Sequence, residues 1–229
     1  MAHPLDNPVW HALTGPHAEF AQGAGAARHY PRDMAPFSAI ETAAPEAYAD
    51  LARDLPAGLE ARLFRPAEEA PPPGWAVISA RSIRQMVAET KGLAAPHPQE
   101  AALRPLGPGD AADMLALAEV AKPGPFGLRT PHLGRYLGLR GPDGRLLAMA
   151  GERFRLPGHV ELSAICVHPA ARGRGLGAAL TLRLAREALA RGELPFLHVF
   201  SDNPAAELYA RLGFRDRATL WVPWHRPAA

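Results

Sequence analysis

Apolar residues in the second half of the chain follow two different periods, one typical of helices and one typical of strands. The helical period occurs over residues 110–118, 176–191 and 204–212. Strands are predicted at residues 103–106, 136–139, 146–154, 160–167 and 195–200, with a strand pair or one bent strand at 214–224. This order, with hairpins first and crossovers later, predicts a mixed sheet flanked by helices, a fold of the α+β class.

The first half of the chain has a weaker pattern. The predicted elements are a helix at 45–53 and strands at 61–64 and 75–78, the latter opening a long strand, around a proline-rich loop at 65–74. The first 35 residues predict no definite element. A segment of low hydrophobicity at residues 92–99, stiffened by two prolines, is the predicted boundary between a smaller α/β unit, residues 1–95, and a larger one, residues 96–229.

Composition narrows the class of protein. The 229 residues are 48% hydrophobic and 21% charged, which predicts a water-soluble chain with one large core or two smaller ones. A net charge of +2 argues against nucleic-acid binding, which needs a concentrated basic face. No apolar run of about 18 residues occurs and the first residues lack the pattern of an export signal, so we expect no membrane partner. The single cysteine, Cys166, suits a cytoplasmic protein, and the ten histidines show no metal-ligand spacing.

A basic, glycine-rich turn at residues 167–177 joins a predicted strand to a predicted helix. Its glycines at 173, 175 and 177 carry no Cβ, so several main-chain N–H groups can converge on one anion. The N-terminus of the following helix and the guanidinium groups of Arg172 and Arg174 add positive charge. This combination predicts a phosphate-binding loop.

Two other kinds of phosphate-binding loop fit this segment less well. A dinucleotide loop has an acidic residue about 20 positions after its glycines, whereas Asp202 follows Gly177 by 25 positions. A nucleoside triphosphate loop requires Gly-Lys-Ser or Gly-Lys-Thr, and neither follows these glycines. The turn therefore argues against both of these nucleotide-binding classes.

Arg172, Gly175 and Gly177 have the spacing RxxGxG, which resembles the coenzyme A loop of the GNAT superfamily of acyl-CoA-dependent N-acyltransferases. The order of predicted elements from about residue 101 to residue 226 is also similar to the fold of that family. The resemblance implies a GNAT-like central mixed sheet and an N-acetyltransferase that uses acetyl-CoA as its acyl donor and no metal. For residues 1–95 two interpretations stay open: a degenerate half of the same fold, or a cap or dimerisation segment.

The resemblance also implies how the donor is held. The pyrophosphate would lie on the turn and the start of the helix, at Arg172, Gly173, Arg174, Gly175, Leu176, Gly177 and Ala178. The pantetheine arm would pair like an added strand with the main chain of Ile165, Cys166 and Val167, provided that the next strand diverges. Asn203 would contact the donor, cap the following helix, or do both, with Asp202 as a rival cap.

Acyl transfer to an amine needs a group that removes a proton from the amine and a group that protonates the departing thiolate. By resemblance, Glu161 is the candidate base, directly or through a water, and the alternative is a strand-end charge that reaches solvent. Tyr209 is the candidate acid, and the alternative is a core tyrosine. Strand alternation places Cys166 on the opposite face from Glu161, which favours a buried apolar role for the thiol. His168 and His198 are interpreted as core or rim histidines.

The leading hypothesis is direct transfer of an acetyl group to the primary amine of a small-molecule or peptide acceptor, by a monomer or homodimer. The alternative is a noncatalytic module that binds acyl-CoA. The resemblance implies that residues 122–135 and 220–225 bind the acceptor. The candidate lining residues are the aromatic Phe126, Tyr136, Trp221 and Trp224, with Arg129, Arg135 and Arg140 favouring an acidic acceptor.

Overall fold

The computed structural model describes residues 3–56 and 58–228. The first part of the chain contains the helices α1 (Pro8–Leu13) and α2 (Pro45–Asp54) and the strands β1 (Ala27–His29), β2 (Ser38–Ile40), β3 (Ala61–Arg62) and β4 (Trp75–Ala88). The second part contains β5 (Arg104–Leu106), α3 (Ala111–Ala121), β6 (Tyr136–Arg140), β7 (Leu146–Leu156), β8 (His159–Val167), α4 (Leu176–Ala190), β9 (Leu194–Phe200), α5 (Ala205–Arg211) and β10 (Phe214–Pro227).

Eight of these strands form one sheet in the order β3-β10-β4-β9-β8-β7-β6-β5. Strands β8 and β9 run parallel, and the other neighbouring pairs are antiparallel. Helix α4 makes the crossover that the parallel pair requires. The α+β class and the flanked mixed sheet predicted from the sequence are confirmed.

Strand β4 comes from the first part of the chain but lies in the middle of this sheet. It pairs with β10 along nearly its whole length and with β9 from Ile83 to Val87. The sheet therefore contains strands from both sides of the predicted boundary. The division into units 1–95 and 96–229 stays a prediction, as do the two interpretations of the first unit.

The predicted linker at residues 92–99 packs against the second part of the chain. The Ala94 N–H donates to the carbonyl of Leu212 over 3.0 Å, and the Ala94 carbonyl accepts from Arg186 of α4. Arg186 also forms an ion pair with Glu100. The segment is thus fixed to the two helices that flank one face of the sheet.

Two hydrophobic clusters cover the two faces of the sheet. The first joins α4 and α5 to the strands, and it buries Leu176, Leu180 and Leu184 as the helical period predicts. The second joins the start of the chain to the strands. From the first 40 residues it contains Leu5, Val9, Ala12, Leu13, Tyr30, Met34, Ala35, Phe37 and Ala39. The segment that predicts no definite element thus supplies one wall of the core.

Strand β10 settles the choice between a strand pair and one bent strand at the end of the chain. It is one strand of fourteen residues. Its pairing with β4 shifts register between Asp216 and Ala218 and again between Trp224 and His225. Such irregularities bend a strand and increase its twist, so the bent strand is the correct interpretation.

Candidate active site

The parallel strands β8 and β9 are paired only at their beginnings. The paired positions are His159 with Leu194, Val160 with Pro195 and Glu161 with Phe196. Beyond Phe196, β9 continues beside β4, while β8 continues beside β7. The two strands therefore diverge, and the main-chain edge of β8 from residue 162 onwards faces a gap. This is the divergence that pairing with a pantetheine arm requires.

The divergence opens a cleft of about 800 Å³. Its lining extends from Arg172, after β8, across β9 to Trp224 on β10 and Arg62 on β3. Among the described residues, no aspartate or glutamate lines this cleft, whereas four cationic side chains do, those of Arg62, Lys122, Arg153 and Arg172. The cleft is therefore electropositive and suits anionic ligands.

A β-bulge interrupts β8 beside the gap. Ser163 pairs with Gly151 and Cys166 pairs with Met149, so two residues of β8 face one of β7. Ala164 at the bulge has a φ of 53°, in the left-handed region that residues with a side chain seldom adopt. The extra residue shifts the alternation of side chains along the rest of the strand.

The bulge corrects the predicted orientation of Cys166. Because of the shift, Cys166 lies on the same face as Ser163 and Glu161, not on the opposite one. The thiol is nevertheless buried, in a cluster with Met149 and Met114. Burial raises the pKa of Cys166 to about 12, so the thiol stays protonated and unreactive. Cys166 thus has the predicted apolar role because it is buried in this cluster, and not because it lies on the face opposite Glu161.

The predicted phosphate-binding loop has the backbone that its glycines predict. Gly173 and Gly175 have φ angles of 76° and 73°, which glycine adopts without strain. Gly175 is the N-cap of α4, and no side chain caps the helix there. The N–H groups at the start of α4, from Leu176, Gly177 and Ala178, are thus available to an anion.

The loop also has the charge that a diphosphate needs, because Arg172 and Arg174 are exposed beside those N–H groups. Gly175 has a second, structural reason to be glycine. A Cβ at this position would lie 2.5 Å from Nε2 of His97. The predicted linker therefore packs directly against the loop, which the sequence does not indicate.

Two of the cleft-lining residues in the α5 region carry polar side chains, Asn203 and Tyr209. Oδ1 of Asn203 accepts a hydrogen bond of 2.9 Å from the N–H of Ala205, while Asp202 pairs with Arg81. The side chain of Asn203, not that of Asp202, therefore accepts from the first turn of α5, whose N-cap residue is Pro204. The Asn203 amide group keeps its donors for a ligand. Tyr209 is 9% exposed, and burial raises the pKa of its hydroxyl to about 12. A phenol with that pKa remains a proton donor at every physiological pH.

Glu161 is fully buried and does not line the cleft. Its carboxylate accepts two hydrogen bonds from Arg153, of 2.7 and 2.6 Å, and one of 2.7 Å from Nδ1 of His198. Burial alone would raise the pKa of Glu161, but Arg153 and His198 outweigh it and hold the pKa at about 2. The carboxylate neither reaches solvent nor faces the cleft, so it is not placed to take a proton from an amine there.

His198 and Arg153, which both line the cleft, stand between Glu161 and the gap. Nε2 of His198 lies 2.9 Å from the Nε2 amide of Gln85, whose Oε1 accepts from Arg217. This orientation of Gln85 makes it a donor, so His198 accepts at Nε2 and donates at Nδ1. Burial lowers the pKa of His198, although Glu161 opposes the shift, and the ring is therefore neutral. The sequence does not indicate this network, because its five members lie on five different strands.

The predicted acceptor-binding residues have mixed outcomes. Trp224 lines the cleft, whereas Trp221 and Phe126 do not. Tyr136 is fully buried, and its hydroxyl has no hydrogen-bond partner among the described residues. The three predicted arginines form ion pairs outside the cleft, between Arg129 and Asp33, Arg135 and Glu187, and Arg140 and Asp110. None of these arginines is placed to contact a substrate in the cleft.

Part of the cleft lining that the sequence did not predict comes from the first part of the chain. Phe37, Arg62 and Phe64 line the cleft together with Trp224. Phe37 and Phe64 pack edge to face, with ring centroids 5.4 Å apart. No local motif marks these residues, because their position depends on where β3 and the segment before β2 pack against β10.

The structure was also searched for a metal site and for a membrane-spanning helix. In residues 3–56 and 58–228, no three histidine, cysteine, aspartate or glutamate side chains come together as a metal site requires. No helix in the same residues is long and apolar enough to cross a bilayer.

Comparisons with known proteins point to one family. A family model described as FR47-like protein matches residues 136–222. A crystal structure of a GNAT-family chain from Novosphingobium aromaticivorans is 39% identical, with 100% of both chains covered and a TM-score of 0.89. A GCN5-related N-acetyltransferase from Kribbella flavida shares the fold at 21% identity, with 100% and 98% of the two chains covered and a TM-score of 0.68. A search of curated proteins finds no match.

The similarity at 39% identity extends over the whole chain, including residues 1–95 and the strand β4 that they contribute to the sheet. The glycine-rich loop and the diverging strands lie within the part that the family model matches. This chain therefore belongs to the GNAT family of acyl-CoA-dependent N-acyltransferases.

Proposed function

We propose that the protein transfers an acetyl group from acetyl-CoA directly to a primary amine, within a complex that holds both substrates. The observation that supports this most is the divergence of β8 and β9, which leaves the main chain of residues 165–167 free beside Tyr209. The pantetheine arm would pair there as an added strand. The diphosphate would bind the loop and the first turn of α4, with Asn203 donating to the arm.

In the proposed reaction, the amine nitrogen attacks the carbonyl carbon of the thioester. The new carbon–nitrogen bond forms, the carbon–sulfur bond breaks, and the sulfur leaves as a thiolate. Tyr209 gives its hydroxyl proton to that thiolate, and the proton of the amine passes to water in the cleft. The tyrosinate then takes a proton back from that water, which restores the hydroxyl. The burial that raises the pKa of Tyr209 also raises that of a thiol beside it, so the proton transfer stays feasible.

We assign Glu161 a positioning role in place of direct proton removal. Its carboxylate holds Arg153 and His198, and these two side chains face the cleft. The cations that line the cleft favour the neutral form of an amine beside them, which reduces the need for a strong base.

The test is acetyl-CoA turnover by the purified protein with a panel of amines, followed by release of the coenzyme A thiol. The expected result is thiol release that depends on the amine, with no acetylated protein as an intermediate. Binding of coenzyme A is measured separately by calorimetry. No heat on titration with coenzyme A would contradict the donor site.

The second candidate is a noncatalytic module that binds acyl-CoA. One observation favours it: among the described residues, no carboxylate lines the cleft to act as a base. Tight binding of acetyl-CoA without transfer to any amine would support this candidate over the first.

A further inference from the structure

We propose that the acceptor amine carries a carboxylate group and that the guanidinium of Arg62 binds this carboxylate. The proposal rests on the proposed function, because it names the class of acceptor for the same cleft. It assigns Arg62 as a binding residue, which the sequence alone does not indicate.

The charge of the cleft favours an anionic acceptor. Its four cationic side chains have no acidic counterpart in the lining among the described residues. Two of them already have a role in this site. Arg172 lies in the predicted phosphate-binding loop, and Arg153 donates two hydrogen bonds to Glu161. Arg62 and Lys122 remain to balance the charge of an acceptor.

Arg62 is held ready for a ligand. Its guanidinium lies over the ring of Trp224, 3.9 Å from the ring centroid, and its side chain is 20% exposed. The nearest carboxylate, Glu60, is 3.6 Å away and already accepts a hydrogen bond of 2.9 Å from Arg226. Within the described residues, Arg62 makes only this long ion pair, so its planar set of donors is available.

Stacking on an indole fixes the plane of the guanidinium and leaves its edge free for hydrogen bonds. A carboxylate matches that edge with two parallel hydrogen bonds. Lysine cannot reproduce this arrangement, since an ammonium group is a point charge without a plane. The geometry therefore selects a flat, anionic group over a neutral one.

The cleft also has an apolar wall, formed by Phe37, Phe64, Ile83, Val222 and Trp224. Arg153 and His198 border this wall, against Phe37 and Phe64 respectively. The apolar side chains suit an aromatic or aliphatic body between the amine and the carboxylate. The proposed acceptor class is thus an apolar amine that bears a carboxylate.

The experiment compares matched amines that differ only in this group. The probes are 4-(aminomethyl)benzoate with 4-(aminomethyl)benzamide, and phenylalanine with phenylalaninamide. Rates are measured for the wild type, Arg62→Gln, Arg62→Lys and a control, Arg84→Gln. Arg84 is partly exposed on β4 and pairs with Asp216 outside the cleft.

The wild type should prefer the carboxylate of at least one pair, as judged by kcat/KM. Arg62→Gln should reduce that preference by about 10- to 100-fold, the range typical for loss of charge-assisted hydrogen bonds. Arg62→Lys should retain part of it. Arg84→Gln should keep the full preference, and all variants should keep the wild-type affinity for coenzyme A.

Equal rates with carboxylates and carboxamides in the wild type would overturn the proposal. So would a loss of coenzyme A affinity in Arg62→Gln with the preference intact, since Arg62 would then hold the donor. If no amine is acetylated, the proposed function is wrong. The role of Arg62 is then tested by binding of the same carboxylates. Calorimetry on the protein saturated with coenzyme A should then detect the carboxylates in the wild type and not in Arg62→Gln. No binding in the wild type would overturn the proposal.

Discussion

Tyr209 and Tyr136 are two buried tyrosines with different surroundings. Tyr209 lines the cleft, whereas Tyr136 is enclosed in the core, where its hydroxyl has no partner within residues 3–56 and 58–228. Replacing Tyr209 by phenylalanine should lower kcat by about 10²- to 10⁴-fold, because the departing thiolate loses its proton donor. The affinity for coenzyme A should stay the same. Steady-state rates and calorimetry check both parts.

Tyr136→Phe is the matched control. It removes the same atom from a site where the hydroxyl has no partner among the described residues, so turnover should not change. The melting temperature should stay equal or rise, since a buried unpaired hydroxyl costs free energy. A Tyr209→Phe enzyme with wild-type rates would exclude Tyr209 as the acid.

Glu161 allows a prediction about acid stability. Its pKa is about 2 in the folded protein against an ordinary value of 4.5, so the ionised carboxylate stabilises the fold above pH 4.5. That contribution is lost as the pH falls from 4.5 towards 2. Glu161→Gln should reduce the free energy of unfolding by about 3 kcal/mol at pH 7, because it leaves the largely buried Arg153 without its counter-charge. The difference from the wild type should shrink below pH 4.5.

Urea unfolding of both proteins at several pH values measures this difference. Glu187→Gln is the control, because Glu187 also pairs with two arginines but at the surface, where a pair contributes about 1 kcal/mol or less. A difference between wild type and Glu161→Gln that is constant with pH would contradict the low pKa.

Single residues differ in how far the sequence predicts their roles. Tyr209 and the loop glycines belong to contiguous segments, so their positions follow from local pattern. Glu161 could be identified as unusual, because a carboxylate in an apolar strand needs an explanation. Its partners could not be, since Arg153 lies on β7 and His198 on β9 and only the sheet brings them together.

At the scale of elements, the start of α4 depends on Gly175. Gly175→Ala should weaken coenzyme A binding by about tenfold or more, a loss of about 1.4 kcal/mol. The reason is that the new Cβ would meet His97 at 2.5 Å and the left-handed φ of 73° would be strained. Either effect displaces the N–H groups of the helix. Titration calorimetry with coenzyme A measures the affinity.

Gly192→Ala is the matched control, because Gly192 has a φ of 76° beyond the other end of α4 and no atom near its Cβ position. It should cost about 1 kcal/mol of stability through the same backbone strain and leave binding unchanged. Equal affinities for all three proteins would contradict the role of Gly175 in the loop.

Elements with a sustained period were predictable, and local irregularities were not. Helix α4 follows from leucines at 176, 180 and 184 with Gly192 after it, and the structure buries all three. The bulge at Ala164 has no such signal, since neither glycine nor proline marks it. The inserted residue moves the Cys166 side chain to the other face of the sheet, so a prediction from strict strand alternation is wrong beyond the bulge.

The whole molecule should unfold as one unit. Strand β4 separates β9 from β10, and the core beneath the first 40 residues extends across the sheet, so neither part keeps its pairing without the other. Differential scanning calorimetry should show one transition with equal calorimetric and van't Hoff enthalpies. Two separate transitions would instead support independent units at residues 1–95 and 96–229.

The arrangement of the whole molecule was the hardest part to predict. The second part alternates strands and helices, and connection rules limit its topology. The first part pairs across large sequence separations, as when Trp75 of β4 lies opposite Pro227 of β10. For that reason the sequence could predict a donor loop, while Arg62 and the aromatic residues of the cleft became visible only in the fold.

If the donor binds as proposed, the divergence of β8 and β9 makes the thermal stability of this protein depend on the supply of acyl-CoA. A bound acyl-CoA thioester would occupy the gap between β8 and β9, so that a small molecule would complete the sheet. A donor concentration 100 times its dissociation constant adds about 2.7 kcal/mol to the folded state. The protein would thus be more stable in a cell with a high concentration of the thioester than in a cell with a low one, with no change in the amount of protein made.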